Sequence, residues 1–176
     1  MRFFAEEKKN RTDQLIFTSP VSITGVVFGK FLGGMAVFTA CTMINLIYVF
    51  VIDLFGSPDG GINFANFLGT LLLGGCMVSL ALFVSSLTEN PIVAAGGTAA
   101  CFVFLRLVDF IATFLKAMDL AFFRWLGAGI EKLNIFFWYD NFAVGIITLQ
   151  DVVYYLSLTA VFLFLTARVL ERRRWR

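Results

Sequence analysis

Two side chains within an apolar stretch are the best placed in this sequence to do chemistry. Arg106 and Asp109 are three residues apart, so on a helix they share a face and can pair. An ionisable group costs about 2.5–3.5 kcal/mol at the centre of a bilayer on insertion scales, so such groups are candidates for an ion or substrate pathway. Counted from Ile92 at about 1.5 Å per residue, Arg106 lies about 21 Å along its helix, where its guanidinium can reach the membrane surface. The pair therefore has two interpretations, a structural ion pair and a pathway element.

The composition argues against most enzymatic chemistry. The chain has no His, which removes the commonest general base and metal ligand. Its cysteines, Cys41, Cys76 and Cys101, lie in apolar runs without metal-ligand spacing, so we interpret them as small core residues. The glycines before Gly29-Lys30 have the wrong spacing for a phosphate-binding loop, and no Ser or Thr follows. We therefore predict no catalytic residue, no metal and no cofactor bound by this chain.

The elements that position these residues are membrane helices. Of the 176 residues, 59% are hydrophobic and 15% are charged, which excludes a disordered or nucleic-acid-binding chain. A bilayer core takes about 20 residues per helix. We therefore predict an all-α, polytopic helical membrane protein that forms a single transmembrane domain. Its four transmembrane helices are predicted at 26–52, 67–87, 92–115 and 152–170.

Lysine and arginine are concentrated at one end of these predicted helices. The loop at 53–66 contains neither residue. Because cytoplasmic loops carry an excess of Lys and Arg, both termini are predicted to be cytoplasmic, which agrees with an even number of spans. The basic residues on this side are Arg2, Lys8, Lys9, Arg11, Lys30, Arg168, Arg172, Arg173, Arg174 and Arg176.

The segments between the predicted spans follow from this orientation. Residues 53–66 are predicted to be an outer loop, and residues 88–91 a short cytoplasmic turn. Residues 116–151 carry seven charges among many aromatic side chains, which favours interfacial or re-entrant helices at the outer surface. Residues 1–25 and the tail 171–176 are predicted to lie in the cytoplasm.

The N-terminal residues have a pattern typical of a short amphipathic helix that breaks at Pro20. Thr12 can cap a helical turn in which Leu15 and Ile16 form an apolar edge. Two interpretations stay open, an interfacial helix on the membrane and a docking helix for a soluble partner.

Small and polar residues in the first span predict contacts between helices. Gly25, Gly29 and Gly33 repeat every four residues, which favours close packing against a neighbouring helix. We predict that the side chain of Asn45, in the same span, makes a hydrogen bond to another helix rather than contacting a ligand.

A series of motifs extends over nearly the whole chain. In order, the motifs are Glu6-Glu7-Lys8, Thr12, Leu15, Thr18-Ser19-Pro20-Val21-Ser22, Gly29-Lys30-Phe31-Leu32, Ser85-Ser86-Leu87-Thr88-Glu89-Asn90, Phe142 to Gly145, Asp151 to Leu158 and Arg173-Arg174-Trp175. Together they resemble the permeases of ABC-2 type transporters, and most nearly the gliding-motility-associated and copper-processing-associated group. The sequence departs from the family pattern at Arg11, Gln14, Pro91 and Val144.

The resemblance implies a function. Such permeases are the membrane-spanning subunits of ATP-binding-cassette exporters in the bacterial plasma (inner) membrane, and they are not themselves enzymes. ATP is bound and hydrolysed by a separate subunit, which a coupling helix at about 3–17 would contact. The expected partners are this ATP-binding subunit, a second permease copy in a homodimer or heterodimer, and membrane lipid, with no nucleic acid. The coupling residues implied are Glu6, Glu7, Thr12, Gln14, Leu15, Thr18, Ser19 and Pro20.

The resemblance also implies six helices, so the four predicted spans would correspond to helices three to six, with Met1 falling just after the second. We expect in-frame apolar codons upstream of Met1. The alternative is a truncated, non-transporting remnant of such a permease. The substrate is not indicated.

Overall fold

The computed structural model describes residue 5 and residues 22–56, 59–116 and 134–174. All regular secondary structure in these residues is helical, and the predicted all-α class is confirmed. The helices are α1 (Ile23–Phe55), α2 (Gly60–Leu87), α3 (Pro91–Lys116), α4 (Tyr139–Ala143) and α5 (Leu149–Arg174).

Four of the helices in the described part of the chain are long and apolar enough to cross a membrane, as predicted. Many large apolar side chains on α1 and α3 are exposed, which suits contact with lipid or with other membrane helices. The stretches that qualify are Ile23–Ile52, Gly60–Leu87, Pro91–Leu115 and Leu149–Arg172.

The connection between α1 and α2 is shorter than the sequence predicts. The predicted loop at 53–66 is largely helical, because α1 continues to Phe55 and α2 begins at Gly60. Asp59 caps α2, since its Oδ1 accepts a hydrogen bond of 3.0 Å from the backbone N–H of Gly61. Polar residues near the start of α2 lower the local hydropathy, although the helix continues through them.

The last span is also longer than the predicted 152–170. Helix α5 begins at Leu149 and extends to Arg174, so most of the predicted tail is helical. Thr148 stabilises the beginning, because its Oγ1 accepts a hydrogen bond of 3.2 Å from the backbone N–H of Asp151.

Helix α2 is the centre of the bundle. It packs against α1, α3, α4 and, most extensively, α5. Its apolar stretch is 44% buried, compared with 6% for that of α1. The exposed faces of α1 and α3 also explain why Cys41 is exposed and Cys101 half-buried, whereas Cys76 of α2 is buried. The core interpretation is therefore correct for Cys76 and wrong for Cys41.

Glycines of α2 provide the close packing that was predicted for α1. A Cβ added at Gly29 or Gly33 would meet no atom within 4 Å, so these residues hold no neighbour within the described part of the chain. At Gly74, in contrast, a Cβ would overlap the ring of Phe38 from α1. Within the described chain the close packing therefore lies on α2, and packing against Gly29 and Gly33 stays a prediction, because a row of small residues does not specify which side chain packs against it.

Two apolar clusters lie at opposite ends of the bundle. We call the end where α1 begins and where α2 and α5 end the basic end, and the opposite end the loop end. The basic-end cluster is formed by Val27, Leu82, Ala167 and Leu170. The loop-end cluster is formed by Cys76, Ile135, Phe142 and Tyr155.

Residues 134–148 pack across the loop end. The hydroxyl of Tyr155 donates a buried hydrogen bond of 2.5 Å to the carbonyl oxygen of Ile135. Buried Asp151 accepts a hydrogen bond of 3.1 Å from the Nδ2 of Asn141. These two contacts hold residues 134–148, including α4, against α5. The predicted interfacial or re-entrant helices at 116–151 lie in part, at 117–133, outside the described residues.

Candidate functional site

The basic end holds Ala5 from the N-terminal segment. Ala5 is fully buried, and its backbone N–H donates a hydrogen bond of 3.2 Å to Ser85 Oγ. Ser85 and Ser86 are themselves buried near the end of α2. Ser86 Oγ donates instead to the carbonyl oxygen of Phe83 in its own helix, at 2.7 Å. The N-terminal segment is therefore joined to α2 at Ala5.

A short turn connects α2 to α3 directly after this contact. Thr88 Oγ1 accepts a hydrogen bond of 3.2 Å from the backbone N–H of Asn90. Asn90 Oδ1 accepts one of 2.9 Å from the backbone N–H of Ile92, and Pro91 occupies the first helical position, where its missing N–H costs nothing. This turn is therefore short and hydrogen bonded, and it links the end of α2 to the beginning of α3.

Three charged side chains near the end of α5, Arg168, Glu171 and Arg172, lie at or near the surface. Arg168 Nη1 lies 3.1 Å from Glu171 Oε2, and the Arg168 side chain is 65% exposed. Arg172 is exposed as well. This exposure suits an end of the bundle that contacts water and lipid head groups.

A pocket of about 200 Å³ lies between α1 and α2 towards the loop end. Its lining is rich in polar side chains, although both helices are long enough to span a membrane. Within α2, Asn63, Asn66 and Thr70 have the spacing of residues on one helix face. We call this the polar pocket, and its polar residues are Thr42, Asn45, Asn63, Asn66, Thr70 and Tyr139.

Tyr139 of α4 closes one side of the polar pocket. Its hydroxyl donates a hydrogen bond of 2.6 Å to Asn66 Oδ1 and lies 3.1 Å from Thr70 Oγ1. Thr70 Oγ1 also lies 2.8 Å from the backbone carbonyl oxygen of Asn66, to which it can donate. The pocket therefore depends on the packing of α4 against α2.

Asn45 lines the polar pocket from α1. Its side chain makes no hydrogen bond to any residue that the structure describes, so the predicted hydrogen bond from Asn45 to another helix is not found there and stays a prediction. The pocket itself separates Asn45 from the polar face of α2. The sequence signal that could have revealed the site is the one-face spacing of Asn63, Asn66 and Thr70.

Comparison with known families decides what kind of protein contains these features. The model of a family described as "ABC-2 family transporter protein" matches residues 1–170. The chain belongs to the ABC-2 transporter family. Neither a curated protein nor a solved structure matches it. The predicted family is thus confirmed, whereas the gliding-motility and copper-processing subgroup stays a prediction.

Membership of the ABC-2 family supports a role as the permease component of an ABC transporter. It identifies a membrane transport subunit that is not itself catalytic, and it implies a partnership with an ATP-binding subunit. Four transmembrane-capable helices agree with that role.

The coupling residues implied by the ABC-2 resemblance lie next to Ala5 in the sequence but outside the described residues. Described residues lie on both sides of them in the sequence, since Ala5 precedes Glu6 and Ser22, the N-cap of α1, is two residues after Pro20. The residues in question are Glu6, Glu7, Thr12, Gln14, Leu15, Thr18, Ser19 and Pro20.

Arg106 and Asp109 lie on the same side of α3, with 4.0 Å between Arg106 Nη1 and Asp109 Oδ2. The Arg106 side chain is 63% exposed, so this pair stabilises the fold little by itself. A second contact is closer, because the Arg106 guanidinium carbon lies 3.5 Å from the centre of the Phe136 ring. Arg106 therefore connects α3 to residues 134–148 through a cation–π interaction.

We expect Arg106→Ala to destabilise the protein by about 1 kcal/mol, because it removes the cation–π contact with Phe136. Transport by the assembled transporter should persist. The unfolding midpoint in mixed lipid–SDS micelles and transport in proteoliposomes measure the two effects. Arg172→Ala, at an exposed position in α5, is the control. Loss of transport with unchanged stability would instead place Arg106 in the translocation pathway.

Proposed function

We propose that this protein is the membrane-spanning subunit of an ATP-driven exporter. A separate ATP-binding subunit hydrolyses ATP, and two permease subunits, as a homodimer or a heterodimer, alternate between two conformations to move the substrate. The exporter resides in the bacterial inner membrane with the basic end facing the cytoplasm. Membership of the ABC-2 family supports the permease role, and the excess of Lys and Arg at the basic end supports the orientation.

The contact between Ala5 and Ser85 is the observation that carries the coupling part of this proposal. It joins the N-terminal segment, where the ATP-binding subunit would dock, to the buried end of the central helix. Helix α2 packs against every other helix described above, so a movement at its end is transmitted through the bundle. The hydrogen-bonded turn at 88–90 carries the same movement to α3.

The test combines the purified protein with the ATP-binding subunit encoded nearest to its gene. Copurification and stimulation of ATP hydrolysis in proteoliposomes are expected. Binding without stimulation would favour a non-transporting remnant, and absence of binding would contradict the proposed partnership.

Within this assay, we expect Ser85→Ala to lower the stimulation of ATP hydrolysis about fivefold. The substitution removes the acceptor for the buried Ala5 N–H, and a lost hydrogen bond of this kind costs about 1 kcal/mol. Copurification should persist, because the docking surface is unchanged. The matched control is Ser157→Ala, since Ser157 is exposed on α5 and its hydroxyl donates to the carbonyl oxygen of Tyr154 in its own helix. Equal stimulation by the two variants would show that the Ala5–Ser85 contact does not transmit coupling.

A further inference from the structure

The polar pocket presents hydrogen-bonding groups that the described part of the chain does not satisfy. The side-chain amides of Asn45 and Asn63 make no hydrogen bond there. Asn66 uses its Oδ1 to accept from Tyr139, which leaves its amide nitrogen available. Helices α1 and α2 are both long enough to span a membrane, and within hydrocarbon an amide without a partner costs several kcal/mol, so we expect a hydrogen-bonding occupant.

The occupant must be uncharged where it contacts the polar pocket. Among the described residues that line the pocket there is no Asp, Glu, Lys or Arg. A phosphate or ammonium group would therefore lose its hydration without gaining an opposite charge. Hydroxyl and amide groups both donate and accept, as asparagine side chains require. The volume of about 200 Å³ has room for several groups the size of a water molecule.

An apolar groove of about 470 Å³ continues from the polar pocket between the same two helices. The two spaces share Leu46, Val49, Asn63 and Phe67. The rest of the groove is lined by Phe50, Gly60 and Phe64, so it suits a hydrocarbon chain. One molecule with a polar head and an apolar chain can therefore fill both spaces.

The relative depth of the two spaces indicates how such a molecule is oriented. Asn45 lies about 15 Å from the loop end of α1, and Phe50 about 8 Å from it. In α2, Thr70 lies about 15 Å from the loop end and Phe64 about 6 Å. The polar pocket is thus the deeper space. A lipid of the leaflet at the loop end has its head at the surface and its chain deeper, which is the reverse of the order of the two spaces. An amphiphile from the leaflet at the basic end has its chain pointing towards the loop end, which agrees with that order.

We infer that the polar pocket and the apolar groove bind an amphiphile with an uncharged, hydrogen-bonding head and an apolar chain, drawn from the leaflet at the basic end. The direction of movement rests on the proposed export function, and the inference adds to that function the chemical class of the substrate.

The probe for this site is octyl glucoside, whose uncharged head carries hydroxyl groups. Its binding to the full chain in phosphatidylcholine nanodiscs is measured by equilibrium dialysis, below the concentration at which the probe forms micelles, with empty nanodiscs subtracted. We expect saturable binding of octyl glucoside. Glucose, which lacks the chain, and octyl phosphate, which has a charged head, should each bind at least tenfold more weakly.

Two pocket variants and a matched control locate the site. Asn45→Leu should weaken octyl glucoside binding about tenfold, and Thr70→Val about threefold, because each removes hydrogen-bonding capacity from the head pocket. Thr113→Val is the matched control, because the hydroxyls of Thr70 and Thr113 each donate to the carbonyl oxygen four residues earlier. It should leave binding unchanged, since Thr113 lies on α3, outside the pocket. Unfolding midpoints are compared so that only variants that fold like the parent are interpreted.

Several results would overturn the inference. Equal binding of octyl phosphate would exclude selection for an uncharged head, and equal binding of glucose would exclude a role for the groove. Binding that neither pocket variant weakens would place the probe elsewhere. Two copies of the chain can be tested for cross-linking through Cys41, which is exposed. If Asn45→Leu prevented this cross-link while octyl glucoside binding persisted, a second copy of the chain would be the occupant of the polar pocket. The dialysis needs no ATP-binding subunit, so failure of coupling and failure of ligand binding are observed separately.

Discussion

Phe142→Ala is expected to lower the free energy of unfolding by about 3–5 kcal/mol, the largest effect predicted here for a single substitution. Phe142 is fully buried in the loop-end cluster, with its ring centre 6.3 Å from that of Tyr155. The ring also fills the space left by Gly69 of α2. Because protein surrounds the ring on all sides, removing it leaves a cavity that lipid cannot fill.

The unfolding midpoint in mixed lipid–SDS micelles measures the effect of Phe142→Ala. Phe164→Ala is the matched control, since the Phe164 residue on α5 is 59% exposed and its loss creates no internal cavity. The control should change the free energy of unfolding by less than about 1 kcal/mol. If the two variants unfolded at the same midpoint, the loop-end cluster would not hold residues 134–148 against α2.

Gly69→Ala is expected to destabilise the protein by about 3 kcal/mol, at the upper end of the range for overpacking. A Cβ at Gly69 would lie 2.5 Å from the Cβ of Phe142 and 2.6 Å from its Cγ. These atoms are close to the backbone, so the clash cannot be relieved by turning the ring, and α4 must move away from α2. The polar pocket should change as well, because Tyr139 belongs to the same short helix.

Gly33→Ala is the control for this substitution, and it is not expected to lower the stability of the protein. An added Cβ at Gly33 meets no atom within 4 Å, and alanine favours a helix over glycine by about 1 kcal/mol. The control should therefore leave stability unchanged or raise it slightly, as judged from the same unfolding midpoints. Equal destabilisation by Gly69→Ala and Gly33→Ala would contradict the close contact between Phe142 and α2.

Hydropathy predicted the helices better than it predicted their ends. The number of transmembrane-capable helices and the all-α class follow from hydropathy summed over about 20 residues, so each residue contributes only a small part of the sum. The loop predicted at 53–66 was too long because a few polar residues lower such a sum even when they lie within a helix. The cap at Asp59 was the better indication of where α2 begins.

The family motifs were sufficient to identify the ABC-2 family, since they extend over nearly the whole chain in order. They concentrate on the N-terminal segment and the helix ends. The polar pocket lies between these motifs, so the resemblance did not reveal it.

The apolar content thus predicts, from the sequence alone, a helical membrane protein with the four transmembrane-capable helices that the described residues contain, and the motifs predict its family. Only the tertiary structure shows that Asn45 faces Asn66 and Tyr139 across one pocket, or that Phe38 and Phe142 pack on glycines of α2. The physical reason is that hydropathy depends on each segment separately. The rotation of a helix about its axis depends instead on side chains that are distant in the sequence.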